Sequence, residues 1–331
     1  MFYRKIFCLA LLLTLGQALH AQRVEEAETV VDVSLQELTS LDFLADDTEI
    51  RSLDISFNKI SDLGPLANLT QLESLTLSGN PIKTLEPLSK LVNLRELTII
   101  SRNIYNIDAL KSLLNLEVLN LSSTNIKSLA PLENLTALRV LDVREAKRLK
   151  NIDAVSKFDK LESLFMDHTA VSDLTPLSYL TALTNLSVGN GQSIDLESLR
   201  NLSGLNSLLL SPIKEVDLAP LAGLTALTEL HIEHSHLKDI SALSSLRSLT
   251  DLYLGDNRIE DISALASLVR LTTLRISSNR IKSLAPLREL KEIDFLQAGQ
   301  KTIKANRLSC PYGEDVTPEL NKFCRRYVGV K

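Results

Sequence analysis

The sequence predicts an α/β solenoid: a curved, right-handed coil with a parallel β-sheet on its concave side and 3₁₀ or irregular turns on its convex side. Three observations lead there. Aligned on itself, the chain shows one leading apolar residue per unit at Ile50, Leu72, Leu94, Leu116, Leu138, Leu161, Leu183, Leu205, Leu227, Leu249, Leu271 and Ile293, every step being 22 residues except the 23 from Leu138 to Leu161. Within a unit the apolar slots repeat, as in QLESLTLSGNPIKTLEPLSKLV with Leu72, Leu75, Leu77, Ile82, Leu85, Leu88 and Leu91. Of 331 residues 69 are Leu, against 4% aromatic and no Trp, so one structural unit copied many times fits better than a mixed core.

Leu75-Thr76-Leu77 alternates with the period of a strand, and each unit therefore contributes one short strand to a continuous parallel sheet. The later apolar residues, three apart, are too few for an α-helix and suit a 3₁₀ return path. Pro65, Pro87, Pro131, Pro176, Pro220 and Pro286 recur in register just before one of them. Proline fixes φ and withholds an N–H, which an outer turn tolerates and a sheet rejects.

Residues 1–21 begin with Arg4 and Lys5, continue through an apolar run from Ile6 to Leu15 and end in small residues, the order of a secretory signal peptide. Cleavage after Ala21 or after Ala18 is consistent with it. Residues 22–49 read as an acidic N-terminal cap containing a degenerate repeat, residues 50–292 as eleven repeats, and residues 293–331 as a basic C-terminal cap. Cys8 leaves with the signal, so Cys310 and Cys324 remain, and in an exported chain they are expected to form a disulfide. Between them Thr317-Pro318-Glu319 marks a helix start, Thr as N-cap and Pro at the first helical position.

A net charge of −5 offers no electrostatic reason for broad contact with phosphate backbones, so nucleic acid is not expected as a partner. Nothing after residue 22 supplies an apolar run of about twenty residues, so membrane insertion is not expected. No GxSxG, HExxH, Walker loop or GxGxxG occurs; the chain reads as a non-enzyme without cofactor, and as a monomer. The Asn-x-Ser/Thr triplets at Asn68, Asn120, Asn134, Asn185 and Asn201 each sit at a repeat leucine and are generated by the repeat itself.

Over roughly residues 28–300 the repeat resembles the 22-residue class of leucine-rich repeats found in bacterial internalin-like proteins and in the eukaryotic Sds22-like type. That resemblance implies protein or peptide binding across the concave sheet and a bacterial, secreted or periplasmic setting. No sorting motif or further module follows the repeats, unlike in anchored internalins. A rival reading, implied by the Sds22 likeness, is a regulator or inhibitor of an enzyme.

Such repeats usually carry Asn three residues after the second strand leucine. Asn58, Asn80, Asn257 and Asn279 keep it, whereas the seven central units show Arg102, Thr124, Ala146, Thr169, Gly191, Ile213 and Ser235. The one-residue insertion falls in the same stretch, in Arg144-Glu145-Ala146-Lys147-Arg148, followed by irregular loops at 189–193 and 211–215. Among outward strand residues, Phe165, Leu209, His231 and Tyr253 follow a small, polar first half. With Asp167, His168, Glu233, His234, Asp251 and Arg275 they form the expected partner-binding patch, an apolar centre with a polar rim. His231, His234 and His236 also raise a metal-dependent activity, but His234 and His236 lie on the exit loop and zinc wants three or four converging ligands; no metal site is assigned.

Overall fold

The computed structural model describes residues 29–214, 216–298, 311 and 316–328. The expected signal peptide, Glu215 in the second irregular loop, Cys310 and most of the basic tail lie outside them. Thirteen strands pair in chain order into one open, all-parallel sheet. They are β1 (Thr29–Asp32), β2 (Ile50–Asp54), β3 (Ser74–Thr76), β4 (Glu96–Thr98), β5 (Val118–Asn120), β6 (Val140–Asp142), β7 (Ser163–Phe165), β8 (Asn185–Ser187), β9 (Ser207–Leu209), β10 (Glu229–His231), β11 (Asp251–Tyr253), β12 (Thr273–Arg275) and β13 (Phe295–Gln297). Short 3₁₀ helices such as Gly64–Asn68 and Glu86–Lys90 connect successive strands, with the register prolines in their first turns. β1 extends the sheet ahead of Ile50, and α1 (Pro318–Val328) packs on β13. The Leu320 N–H donates to the Thr317 hydroxyl at 3.3 Å, the cap expected there.

The repeat leucines form one continuous core in which almost every side chain is fully buried, Leu72, Leu94, Leu116 and Leu138 among them. Burying a leucine stabilises the fold by roughly 1.5–3 kcal/mol, and each layer covers only its neighbours, so cohesion is local and cumulative.

Three columns recur at the repeat period, and the first of them ties one turn to the next by its side chains. The conserved-register asparagines bond both their own turn and the one before: Asn80 Nδ2 donates to the Ile55 carbonyl at 2.8 Å and the Leu77 carbonyl at 3.2 Å, while its Oδ1 accepts from Ile60 N at 2.9 Å. The central replacements lose most of this. Thr124 and Thr169 donate only to Leu121 O and Met166 O of their own turns, and the Ala146 N–H turns to Val143 O. Ile213 N finds the hydroxyl of Ser235 in the next unit instead.

A second column caps the 3₁₀ helices. Asp62, Asp173, Asp195, Asp217, Asp239 and Asp261 each accept the N–H two residues on, and Thr84, Asn106, Ser128, Asn151 and Ser283 do the same without charge. A third column holds non-glycine residues at positive φ in one register: Phe57, Ser123, Glu145, His168, His234, Asp256 and Ser278. Left-handed backbone is costly for L-residues. Here the N–H groups of Phe57, Ser123, Glu145, His168, His234 and Asp256 reach the next turn, as His168 N does to Gly189 O at 2.7 Å, so the conformation belongs to the repeat rather than to a special site.

Candidate functional site

The outward strand residues stand in register across the concave face: Asp142 opposite Phe165, Phe165 opposite Ser187, Ser187 opposite Leu209, then His231, Tyr253, Arg275 and Gln297. Strand spacing of about 4.8 Å brings long side chains of adjacent turns into contact. The expected residues separate into two clusters.

The first runs from β9 to β13 and stays half-exposed. The imidazole of His231 stacks on the ring of Tyr253 with centroids 3.9 Å apart and planes at 18°. Arg275 lies over Tyr253 at 5.8 Å and over Phe295 at 6.0 Å, so four neighbouring strands carry one stacked row. Below it, Glu229 Oε1 meets His231 Nε2 at 2.8 Å and Oε2 accepts from the Ser207 hydroxyl at 2.7 Å. Burial pushes the Glu229 carboxyl up, but the bonds from His231 and Ser207 outweigh it and hold it below the usual range. Burial, then the charges of Asp251 and Glu229, pushes the Tyr253 phenol up. Asp251 accepts from the Thr250 hydroxyl at 2.7 Å, and Leu209 flanks His231 on the other side. Glu233 folds over Gly255, where a Cβ would come within 2.7 Å of its Oε1; glycine there makes room for the carboxylate.

The second cluster surrounds β6 to β8, and at Phe165 its exposure departs from expectation. Phe165 points to the concave side but is only 3% exposed, because Arg144, in the exit turn of β6, lies 5.3 Å over its ring. Arg144 also holds the fully buried carboxylate of Asp142, with Nη2 2.5 Å from Oδ2. Asp167 accepts from the Ser187 hydroxyl. Burial raises its carboxyl to about 6, against the downward pulls of that bond and of Arg144 and His168. His168 itself is exposed, 4.0 Å from Glu145.

The histidines do not converge. His231 is engaged with Glu229 and Tyr253, His234 Nδ1 lies 3.7 Å from Asp256, and His236 is exposed on the loop. Among the described residues no group of three or more His, Cys, Asp or Glu side chains is placed to hold a metal ion.

Sequence reasoning missed the Arg144–Asp142 clamp and a charge ladder beside the strands. Arg51, Glu73, Arg95, Glu117, Arg139 and Glu162 occupy one register, with contacts of 2.9 Å for Arg51–Glu73, 2.8 Å for Arg95–Glu117 and 2.7 Å for Arg139–Glu162. Beyond it the column changes to Thr184, Asn206, Thr228, Thr250 and Thr272. The alternation of Arg and Glu at the repeat period was the available signal.

A family description of leucine-rich repeats in two copies matches residues 48–90, 70–113, 114–157 and 247–289. No curated protein matches the chain. Among solved structures, an internalin (InlF) from Listeria monocytogenes is 32% identical, with 81% of this chain and 86% of that one covered and a TM-score of 0.73. A leucine-rich-repeat protein of Leptospira interrogans is 18% identical over 91% and 94% of the two chains, TM-score 0.55. The plant peptide hormone receptor RGFR1, solved in complex with RGF2, is 21% identical over 84% of this chain and 50% of that one, TM-score 0.63. The last two share the fold.

Proposed function

The chain belongs to the leucine-rich-repeat family, of the internalin type, and from that premise we propose that it is an exported, bacterial, monomeric binding module that recognises a protein or peptide through its concave face. The observation that carries this reading is the stacked row His231, Tyr253 and Arg275 on adjacent strands, flanked by Leu209, half-exposed and rimmed by Glu229, Glu233 and Asp251. Aromatic and arginine side chains prepositioned by mutual stacking lose little freedom on binding, which is the property of interface anchors. The acidic rim supplies directional polar contacts around them. Phe165, Asp167 and His168, on β7 and its exit turn, and His234, on the exit turn of β10, complete the proposed surface, although Phe165 contributes only if Arg144 moves aside. Catalysis is not part of this reading. Among the described residues no helix is long and apolar enough to cross a membrane.

The test is affinity capture from native extracellular and envelope fractions, with size-exclusion chromatography of the eluate. The bait is the mature chain beside a Leu209→Ala/Tyr253→Ala variant shown to be folded by circular dichroism. Tyr179→Ala, on the convex side where Tyr179 is 87% exposed, serves as control. A partner retained by the parent and control and lost by the double variant is the expected result. Equal capture by all three would sink the concave-face reading.

A further inference from the structure

We propose a second interaction surface, on the exit flank of the turns that start at Leu94, Leu116 and Leu138, which takes an anionic polysaccharide. The argument starts in the capping column. Where the cap is Asp, as at Asp217, Asp239 and Asp261, the cap itself adds a carboxylate to the flank that carries Lys214, Lys238, Arg258 and Arg280, and the charges of Lys238 and Arg280 are felt by Glu260. In the three turns considered, the caps are Asn106, Ser128 and Asn151, which make the same backbone bond without charge.

Cations accumulate on that stretch. Arg102, Lys127, Arg148 and Lys150 are all exposed and have no ion pair among the described residues. Backbone bonds fix their neighbourhood: Lys150 N donates to Lys127 O at 3.1 Å, and Asn125 Nδ2 donates to Arg102 O at 2.5 Å. Arg148 lies in the loop that carries the extra residue of the 23-residue unit. Its guanidinium reaches back two turns to lie 5.8 Å over the ring of Tyr105, which remains 59% exposed. The longer loop thus holds a cation beside an open aromatic ring.

Three carboxylates share the stretch and limit its field. Glu145 lies 3.6 Å from Lys147, and Asp108 and Asp153 accept from the side-chain amides of Asn106 and Asn151 at 2.9 and 2.7 Å. The four remaining cations lie on three successive turns, Arg102 on the first, Lys127 on the second, and Arg148 and Lys150 on the third, with the backbones of Lys127 and Lys150 hydrogen-bonded side by side. A polysaccharide carrying sulfate or carboxylate on each unit presents anions at regular intervals on a stiff backbone, so little freedom is lost in matching it. The exposed edge and face of Tyr105 suit the C–H face of a pyranose ring. An acidic peptide would use the cations but not the ring.

The experiment is titration calorimetry of the mature chain with a heparin oligosaccharide, its desulfated form and poly-glutamate, at two salt concentrations. Heparin binding should weaken about tenfold or more in Lys127→Glu/Lys150→Glu, and in the parent it should tighten as salt falls, because each cation that meets an anion releases counterions. Tyr105→Ala should weaken it several-fold, and Lys238→Glu/Arg258→Glu, on the same flank beside aspartate caps, should leave it unchanged. All substitutions are at exposed positions, and thermal unfolding confirms that the variants fold. The proposal is overturned by absence of heparin binding, by equal losses in the two double variants, or by poly-glutamate binding as tightly as heparin.

Discussion

The guanidinium of Arg144 closes on the carboxylate of Asp142, with Nε 3.0 Å from both oxygens and Nη2 2.5 Å from Oδ2, and the same guanidinium roofs Phe165. A carboxylate with no exposed surface depends on that partner. Arg144→Ala leaves a buried charge uncompensated and uncovers an aromatic ring, so unfolding in urea should show a loss of about 3–5 kcal/mol. Asp142→Asn/Arg144→Met, which removes both charges, should recover most of it. If Arg144→Ala alone costs under about 1 kcal/mol, the clamp is not the source of the burial.

Asp167 makes stability depend on pH in the direction opposite to most carboxylates. Its folded value of about 6 lies above the ordinary 3.8, so the native state holds the proton more tightly than the unfolded chain. The extra stability is present below about pH 4 and is lost as pH rises to about 6, above which the contribution is flat. Two units correspond to about 3 kcal/mol, an upper bound. Denaturation midpoints of parent and Asp167→Asn between pH 4 and 7.5 check it: the parent should carry a downward component across that window that the variant lacks. Parallel profiles would contradict the assignment.

The asparagine column and its replacements should differ in cost. Asn80→Ala deprives Ile55 O, Leu77 O and Ile60 N of a partner in the buried interior, a loss of about 2–4 kcal/mol. Thr124→Ala removes one bond within its own turn and should cost about 1 kcal/mol. Equal costs in chemical denaturation would mean that the tie between turns is not what stabilises the regular ends.

Much of this was legible because the repeat turns tertiary position into sequence register. The strand leucines, the register prolines, the Thr317 cap and the column from Leu209 to Arg275 follow from spacing alone. What spacing does not carry is the reach of a side chain across turns. The register turns Phe165 outward and predicts an exposed ring; the residue that covers it, Arg144, belongs to the preceding unit, and spacing does not predict the direction of its side chain. Asn106, Ser128 and Asn151 likewise look like ordinary loop residues until their hydrogen bonds align them with the aspartate caps.

The charge ladder makes the first half of the solenoid sensitive to a sign change. Arg95 sits between Glu73 at 3.7 Å and Glu117 at 2.8 Å, all three partly exposed. Arg95→Glu aligns three like charges on adjacent turns and should destabilise by about 1–2 kcal/mol at low salt, while Arg95→Gln should cost under about 1 kcal/mol. Added salt should reduce the difference between the two variants, since the repulsion is screened. A salt-independent difference would point to packing of the arginine stem instead.

The C-terminal cap offers the last test. Cys324 is fully buried in α1, with Sγ 3.1 Å from the carbonyl oxygen of Pro311, the residue that follows Cys310 in the chain. Cys310 lies outside the described residues, and the pairing remains our proposal on that proximity and on the expected export. A bridge closing this short loop should add roughly 3 kcal/mol. In a solenoid each layer contacts only its neighbours, so the effect should be confined to one end. Cys310→Ser/Cys324→Ser should speed hydrogen exchange in β13 and α1 and leave β2 to β5 at parental rates. Two thiols titrating in the native, unreduced mature chain would remove the bridge. Acceleration spread evenly over the sheet would instead show that the last core layer is coupled to the whole array, against the local cohesion that the leucine layers imply.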